Sequence, residues 1–229
     1  MKKLIVNADD FGYNMRINQG IIAAHRNGVV KTTSIMTTKD GFEDALRLSR
    51  ENPSLAVGLH VDLDRFFVIN HEKGVINGMV TPAHSPEEIR AEIKSQIDTL
   101  KSRGVAIDHI TSHHHSHLSP AVFPLVVDVM KEYSMKNMRF FKKFYSNPGD
   151  YDNYRRLLDE NRILYPGHFI EGWYWGNIDE EFAVAELMTH PGYGEIWREY
   201  ELAACCNPKL KEYFKQKGIQ VISFSEMTE

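Results

Sequence analysis

The 229 residues predict an α/β protein, a single-domain β/α barrel of seven or eight strands spanning 1–229. Three observations lead there. Short apolar, β-branched runs alternate with amphipathic stretches, the pattern of parallel strands joined by right-handed helical crossovers. The polar residues best suited to chemistry recur where those runs end, on the rim where barrel enzymes assemble their sites. No repeat, low-complexity tract or linker divides the chain, and its length suffices to bury one sizeable core.

Strands are expected at Leu4 to Ala8, Thr32 to Thr37, Ala56 to Leu63, Ile107 to Ser112, Met138 to Phe141, Ala185 to Thr189 and Ile219 to Phe224. These runs are apolar on both faces, as strands covered on both sides require. Helical spacing marks Ile17 to Arg26, Phe42 to Glu51, Pro86 to Arg103, Pro120 to Tyr133 and Pro208 to Lys217, with Gly28, Gly104 and Gly218 as stops. Residues 64–85 and 145–176 are weakly patterned, and long connections on a functional rim usually build substrate walls.

Composition narrows the function. With 42% hydrophobic and 25% charged residues and a net charge of -4, the chain has no basic footprint for nucleic acid or an anionic membrane. A small-molecule or oligosaccharide substrate fits better, and exposed loop aromatics would serve such a substrate or a homodimer partner. No apolar run reaches the roughly 18 residues of a membrane span, and Met1-Lys2-Lys3 leads directly into the first strand, so a cytoplasmic protein is expected. Cys205 and Cys206 are adjacent; a disulfide between them would be strained, and two reduced thiols in a helical segment are expected.

The chemistry concentrates at four strand ends. In Asn7-Ala8-Asp9-Asp10-Phe11-Gly12, adjacent carboxylates reach one site only if the chain turns there, and then one can hold a cation while the other acts as a base. Otherwise they cap a following helix. Gly58-Leu59-His60-Val61-Asp62 offers a rim histidine, with Asp62 as its orienting partner or a solvated group. Thr111-Ser112-His113-His114-His115-Ser116-His117 packs four imidazoles into five positions. Histidine suits a divalent ion that activates water, but on a strand His113, His115 and His117 share one face and His114 takes the other, so one or two are ligands. The surplus, with His109, suits supporting hydrogen bonds or substrate contact. His190, in Thr189-His190-Pro191-Gly192, reads as a general acid or a loop residue. Trp173 and Trp175, in Gly172-Trp173-Tyr174-Trp175-Gly176, read as a sugar platform or as packing.

Asn-Ala-Asp-Asp-Phe-Gly at 7–12, Gly-Leu-His at 58–60, Ser-His-His-His-Ser-His at 112–117 and His-Pro-Gly at 190–192 occur in an order that closely resembles the YdjC-like (ChbG-type) carbohydrate deacetylases. The similarity runs from Leu4 to Phe224. It implies an irregular NodB-like or TIM-like barrel that removes the N-acetyl group from N-acetylglucosamine or chitooligosaccharide-type sugars, with a divalent metal, Mg2+ first and Zn2+ or Co2+ as alternatives. By resemblance Asp10, His60 and His113 are the metal ligands, Asp9 the catalytic base and His190 the general acid. His115 and His117 become supporting or substrate contacts. Thr111 stands where many relatives carry Asp, and Val61-Asp62-Leu63-Asp64 departs from a commoner Asn-Leu-Thr-like continuation. The rival readings are a metal-dependent phosphoesterase and a sugar-binding relative with weakened catalysis.

Overall fold

The computed structural model describes residues 2–69, 79–82, 84–172 and 180–228. Its centre is a curled parallel sheet of seven strands: β1 (Lys2–Phe11), β2 (Thr32–Ile35), β3 (Ala56–Val61), β6 (Ile110–Ser112), β7 (His168–Glu171), β8 (Val184–Thr189) and β9 (Ile219–Ile222). The order across it is β6-β3-β2-β1-β8-β7, and β9 pairs with the first residues of β1. β2 takes over that edge from Asn7, so β1 is flanked along its length and Leu4, Ile5, Val6 and Ala8 are fully buried. Two short strands, β4 (Phe67–Ile69) and β5 (Met79–Pro82), form a separate antiparallel ribbon.

The α-helices of the described residues are α1 (Met15–Asn27), α2 (Phe42–Glu51), α3 (Pro86–Ser102), α4 (Phe123–Glu132), α5 (Pro148–Glu160), α6 (Ile196–Cys205) and α7 (Pro208–Gln216). Local chemistry sets their ends. The Asn14 side chain accepts from the Arg16 and Ile17 amides at the start of α1, and Ser85 and Glu88 form a capping box ahead of α3. Gly104 and Gly218, just beyond α3 and α7, hold φ of +77° and +64°, where a side chain would be strained.

Three expectations are corrected. Met138 to Phe141 is not a strand: Met138 and Arg139 donate to the Leu164 and Ile110 carbonyls, making only isolated bridges. The chain then leaves the sheet because Phe140 and Phe141 stack on Tyr151 and Phe169. Residues 145–176 are not all loop, since α5 and β7 lie within them. Finally, His113–Leu118 is a 3-10 turn, with His114 and His115 both left-handed at φ +54°, so strand alternation does not sort its imidazoles.

Candidate active site

The two adjacent carboxylates face one site because β1 is bulged. Its register against β2 shifts between Ala8 and Phe11, and Asp10 adopts φ +69°. A bulge re-aims a side chain that strand alternation would point away. Asp9 and Asp10 are both 2% exposed, and the helix that follows is capped by Asn14 instead.

Asp9 is saturated with donors. Oδ1 accepts from Asn7 Nδ2 (2.7 Å), Ser34 Oγ (2.9 Å) and Arg139 Nη2 (2.9 Å), whereas among the described residues Oδ2 accepts from Arg139 Nη1 alone (2.7 Å). Burial pushes this carboxyl up, but Arg139 and His60 outweigh it and hold Asp9 well below the usual carboxylate range. Arg139 is fully buried and also donates to Glu186 Oε1 from Nε (2.8 Å) and Nη2 (2.6 Å). Burial wins at Glu186, whose carboxyl is raised despite Arg139.

His60 and Asp10 form the next layer. β3 pairs His60 with Thr111 on β6, which brings Thr111 Oγ1 within 2.7 Å of His60 Nδ1. A hydroxyl therefore fills the orienting role where a carboxylate was expected; Asp62 instead meets Lys39 and the Asp64 amide. With Nδ1 engaged, His60 turns Nε2 toward Asp10 Oδ1 at 3.4 Å. That oxygen is buried and has no hydrogen-bond partner among the described residues, while Asp10 Oδ2 accepts from Arg198 Nη2 at 2.7 Å. An orphaned carboxylate oxygen beside a ring nitrogen suits a divalent cation, so these residues fit the metal that the resemblance implies.

His113 Nδ1 lies 2.9 Å from both oxygens of Asp64, a bond that leaves Nε2 available as a ligand, and its ring centroid is 6.0 Å from that of His60. Burial would lower His113, yet Asp64 and Asp10 raise it. Among the described residues, the one grouping whose ligand atoms all lie within 4.8 Å of one another is Asp64, His113 and His114; Asp10, His60 and His113 do not draw together that closely. Burial raises Asp64, but the His113 bond draws it down to about 2, whereas burial and His113 lower His114 to about 4. His115 packs edge-on against the stacked pair Phe141 and Phe169, and burial lowers it well below the ordinary value. His117 is fully buried, tied to Ser112 Oγ (2.6 Å) and the Arg139 carbonyl (2.9 Å), and burial pushes it to about 3. His109 stacks on Phe224 with centroids 4.0 Å apart, behind Gly58, where a Cβ would strike its ring.

His190, just past the end of β8, closes the site. Its Nε2 lies 3.9 Å from Asp9 Oδ2 and its Nδ1 3.8 Å from Glu201 Oε2, which also accepts from Thr189 Oγ1. Burial lowers its proton affinity, but Glu201, Asp10 and Asp9 together raise it. A cavity of about 750 Å3 opens over these groups, lined by Asp9, Asp10, His60, His113, His115 and His190 with Glu171, Trp197, Arg198 and Glu201. Among the described residues, His117 is outside that lining. Trp173 and Trp175 lie outside the described residues.

Reading the sequence missed Arg139, Arg198, Glu201 and Trp197. A lone arginine inside the apolar run Met138 to Phe141 was the available signal for the first. The others sit on α6, of which the sequence was read as helical at its cysteine end alone. Asp64 was noticed only as a departure.

The chain matches the family model described as YdjC-like protein over residues 3–216. A carbohydrate deacetylase from Brevibacillus brevis is 31% identical, with 98% of this chain and 99% of that protein covered. One from Vibrio parahaemolyticus is 29% identical over 98% and 96%. Among solved structures, a candidate cellobiose-phosphate cleavage protein from Enterococcus faecalis V583 superposes with TM-score 0.79 at 24% identity, covering 100% of this chain and 99% of that one. A family 4 carbohydrate esterase from Streptomyces lividans gives TM-score 0.51 at 12% identity over 96% and 91%, a likeness of fold. Motif order, fold and a match along nearly the whole length agree: the chain belongs to the YdjC-like protein family.

Proposed function

We propose that this protein is a metal-dependent hydrolase that removes the N-acetyl group from an acetylated amino sugar of the N-acetylglucosamine or chitooligosaccharide type and releases acetate. One observation carries the reading. A carboxylate held ionised, Asp9, and an imidazole held toward its cationic form, His190, face one cavity 3.9 Å apart, beside the orphaned oxygen of Asp10. Paired groups whose environments push their proton affinities apart are the arrangement of a base and an acid. The names of the relatives, carbohydrate deacetylases, support the reaction class.

Asp10, His60 and His113 would hold the ion, Mg2+ by family resemblance, which when bound supplies Lewis acidity to the acetyl carbonyl and to water. Among the described residues Asp9 Oδ2 carries one hydrogen bond against three on Oδ1, so it is the atom with room to take the proton of the attacking water. Arg139 keeps that carboxylate charged and fixed. As the C–N bond breaks, His190 Nε2 gives its proton to the departing amine, and Glu201 behind Nδ1 supports the imidazolium. Acetate and a free amino sugar result.

The described lining holds Asp9, Asp10, Glu171 and Glu201 against the single arginine Arg198, which is already bonded to Asp10. The acid–base pair Asp9 and His190 and the names of the relatives favour an amide over a phosphate ester. Incubation with N-acetylglucosamine and its oligomers should yield acetate and free amine in equal amounts. Release of phosphate from phosphate monoesters, with no acetate from these sugars, would establish the rival.

A further inference from the structure

Six large apolar side chains among the described residues remain exposed: Tyr13, Met15, Tyr193, Ile196, Trp197 and Tyr200. They belong to two adjoining segments, since the Tyr193 amide donates to the Arg16 carbonyl. Exposed aromatics gathered in one place mark an interaction surface more often than chance. Here the patch is continuous with the cavity, because Trp197 lines both.

Trp197 is held by two neighbours and partly open to solvent. The Arg198 guanidinium sits 4.2 Å from its ring centroid, and Arg198 is itself held by Asp10 at 2.7 Å and by Glu195 at 2.6 Å. The ring presents an edge-type contact to His190, with centroids 5.7 Å apart, and remains 45% exposed. An aromatic plate partly open to solvent thus stands beside the proposed general acid. Tyr200, 66% exposed, lies three residues on and so adjoins Trp197 on the same face of α6.

Resting on the deacetylase reading above, we propose that α6 is the sugar platform of this protein. Trp197 takes the ring whose acetamide enters the cavity, and Tyr200 takes the next ring of an oligosaccharide. The chemistry matches: the departing nitrogen meets His190 and is one bond from the sugar ring, so the ring lies in the layer of Trp197. Flat aromatic faces pack against the apolar faces of pyranoses and leave the hydroxyl edges hydrated.

The test measures kcat and KM for N-acetylglucosamine and its dimer with wild type, Trp197→Ala, Trp197→Phe and Tyr200→Ala, alongside calorimetric titration with the same sugars. Trp197→Ala is expected to raise KM for both sugars about ten-fold, equivalent to about 1.4 kcal/mol, with a smaller change in kcat. Trp197→Phe should recover most of that loss. In Tyr200→Ala, the KM advantage of dimer over monomer should shrink toward one. A KM in Trp197→Ala within about two-fold of wild type, equal losses on both sugars in Tyr200→Ala, or substitutions that only dissociate a protein dimer in sedimentation would each overturn the platform. Sugar binding that depends on Trp197 without acetate release would leave the platform standing and defeat the deacetylase reading. Acetate release with unaltered binding in Trp197→Ala would do the reverse, and absence of sugar binding to wild type would also overturn the platform.

Discussion

Arg139→Met removes the buried cation shared by Asp9 and Glu186. Arg139 is fully buried and makes four hydrogen bonds, two to Asp9 and two to Glu186. Methionine keeps much of the packing volume but leaves two buried carboxylates without their cation. Breaking a buried ion pair from one side costs about 3–5 kcal/mol. For a domain of this size that is a fall in Tm of roughly 6–20 °C. The pH dependence carries the sharper signature. In wild type Asp9 titrates far below its unfolded value, so its stabilisation is fully present above the ordinary carboxylate range and is lost only as pH falls through the folded value. Without the guanidinium, burial raises Glu186 further, and at Asp9 it is opposed by His60 and His190 without Arg139. A raised carboxyl binds protons in the folded state, so stability is lost as pH rises, and the deficit of the variant should grow between roughly pH 5 and pH 8. Urea unfolding across that range, with an unchanged denaturant slope, reads it directly. A loss under about 1 kcal/mol, or one independent of pH, would refute the claim that Arg139 holds the Asp9 charge.

Further substitutions separate the other roles. Asp9→Asn should lower kcat by about 100- to 10,000-fold while metal binding by calorimetry persists; a fully active variant would remove Asp9 as the base. Thr111→Val, which deletes the 2.7 Å partner of His60 Nδ1, should weaken metal affinity about 10- to 100-fold, and unchanged affinity would mean the hydroxyl orients nothing. His60→Ala and His113→Ala should both weaken the metal more than Thr111→Val does, as equilibrium dialysis would show. Glu201→Gln removes a group that raises His190, so the alkaline limb of the kcat/KM profile should move to lower pH; a stationary limb would assign it to another residue.

Much of this architecture is legible in the chain. The β1, β3 and β8 runs announce their strands through β-branched apolar residues, and Asp9, Asp10, His60 and His190 fall at or near the strand ends because parallel sheets gather their sites there. What stayed hidden depends on contacts between distant segments. The bulge that aims Asp9 and Asp10 together is a register shift against β2, which no local pattern encodes. The left-handed pair His114 and His115 costs about 1–3 kcal/mol per residue and persists only because Phe141, Phe169 and Asp64 over-determine it. Helical spacing in Ile196 to Cys205 was obscured because its exposed face is apolar: Ile196, Trp197 and Tyr200 point outward while Arg198 and Glu201 are buried. That inversion of the usual pattern arises where a helix serves a site rather than the core.

Acetate and free amine, measured together from an N-acetylglucosamine oligomer before chelation, after chelation and after a divalent ion is added back, test the proposed chemistry most directly. The account predicts equal yields of both products, their loss with chelator and their return with metal. Undiminished release by the metal-free protein, or no acetate from any acetylated amino sugar with metal bound, would contradict it.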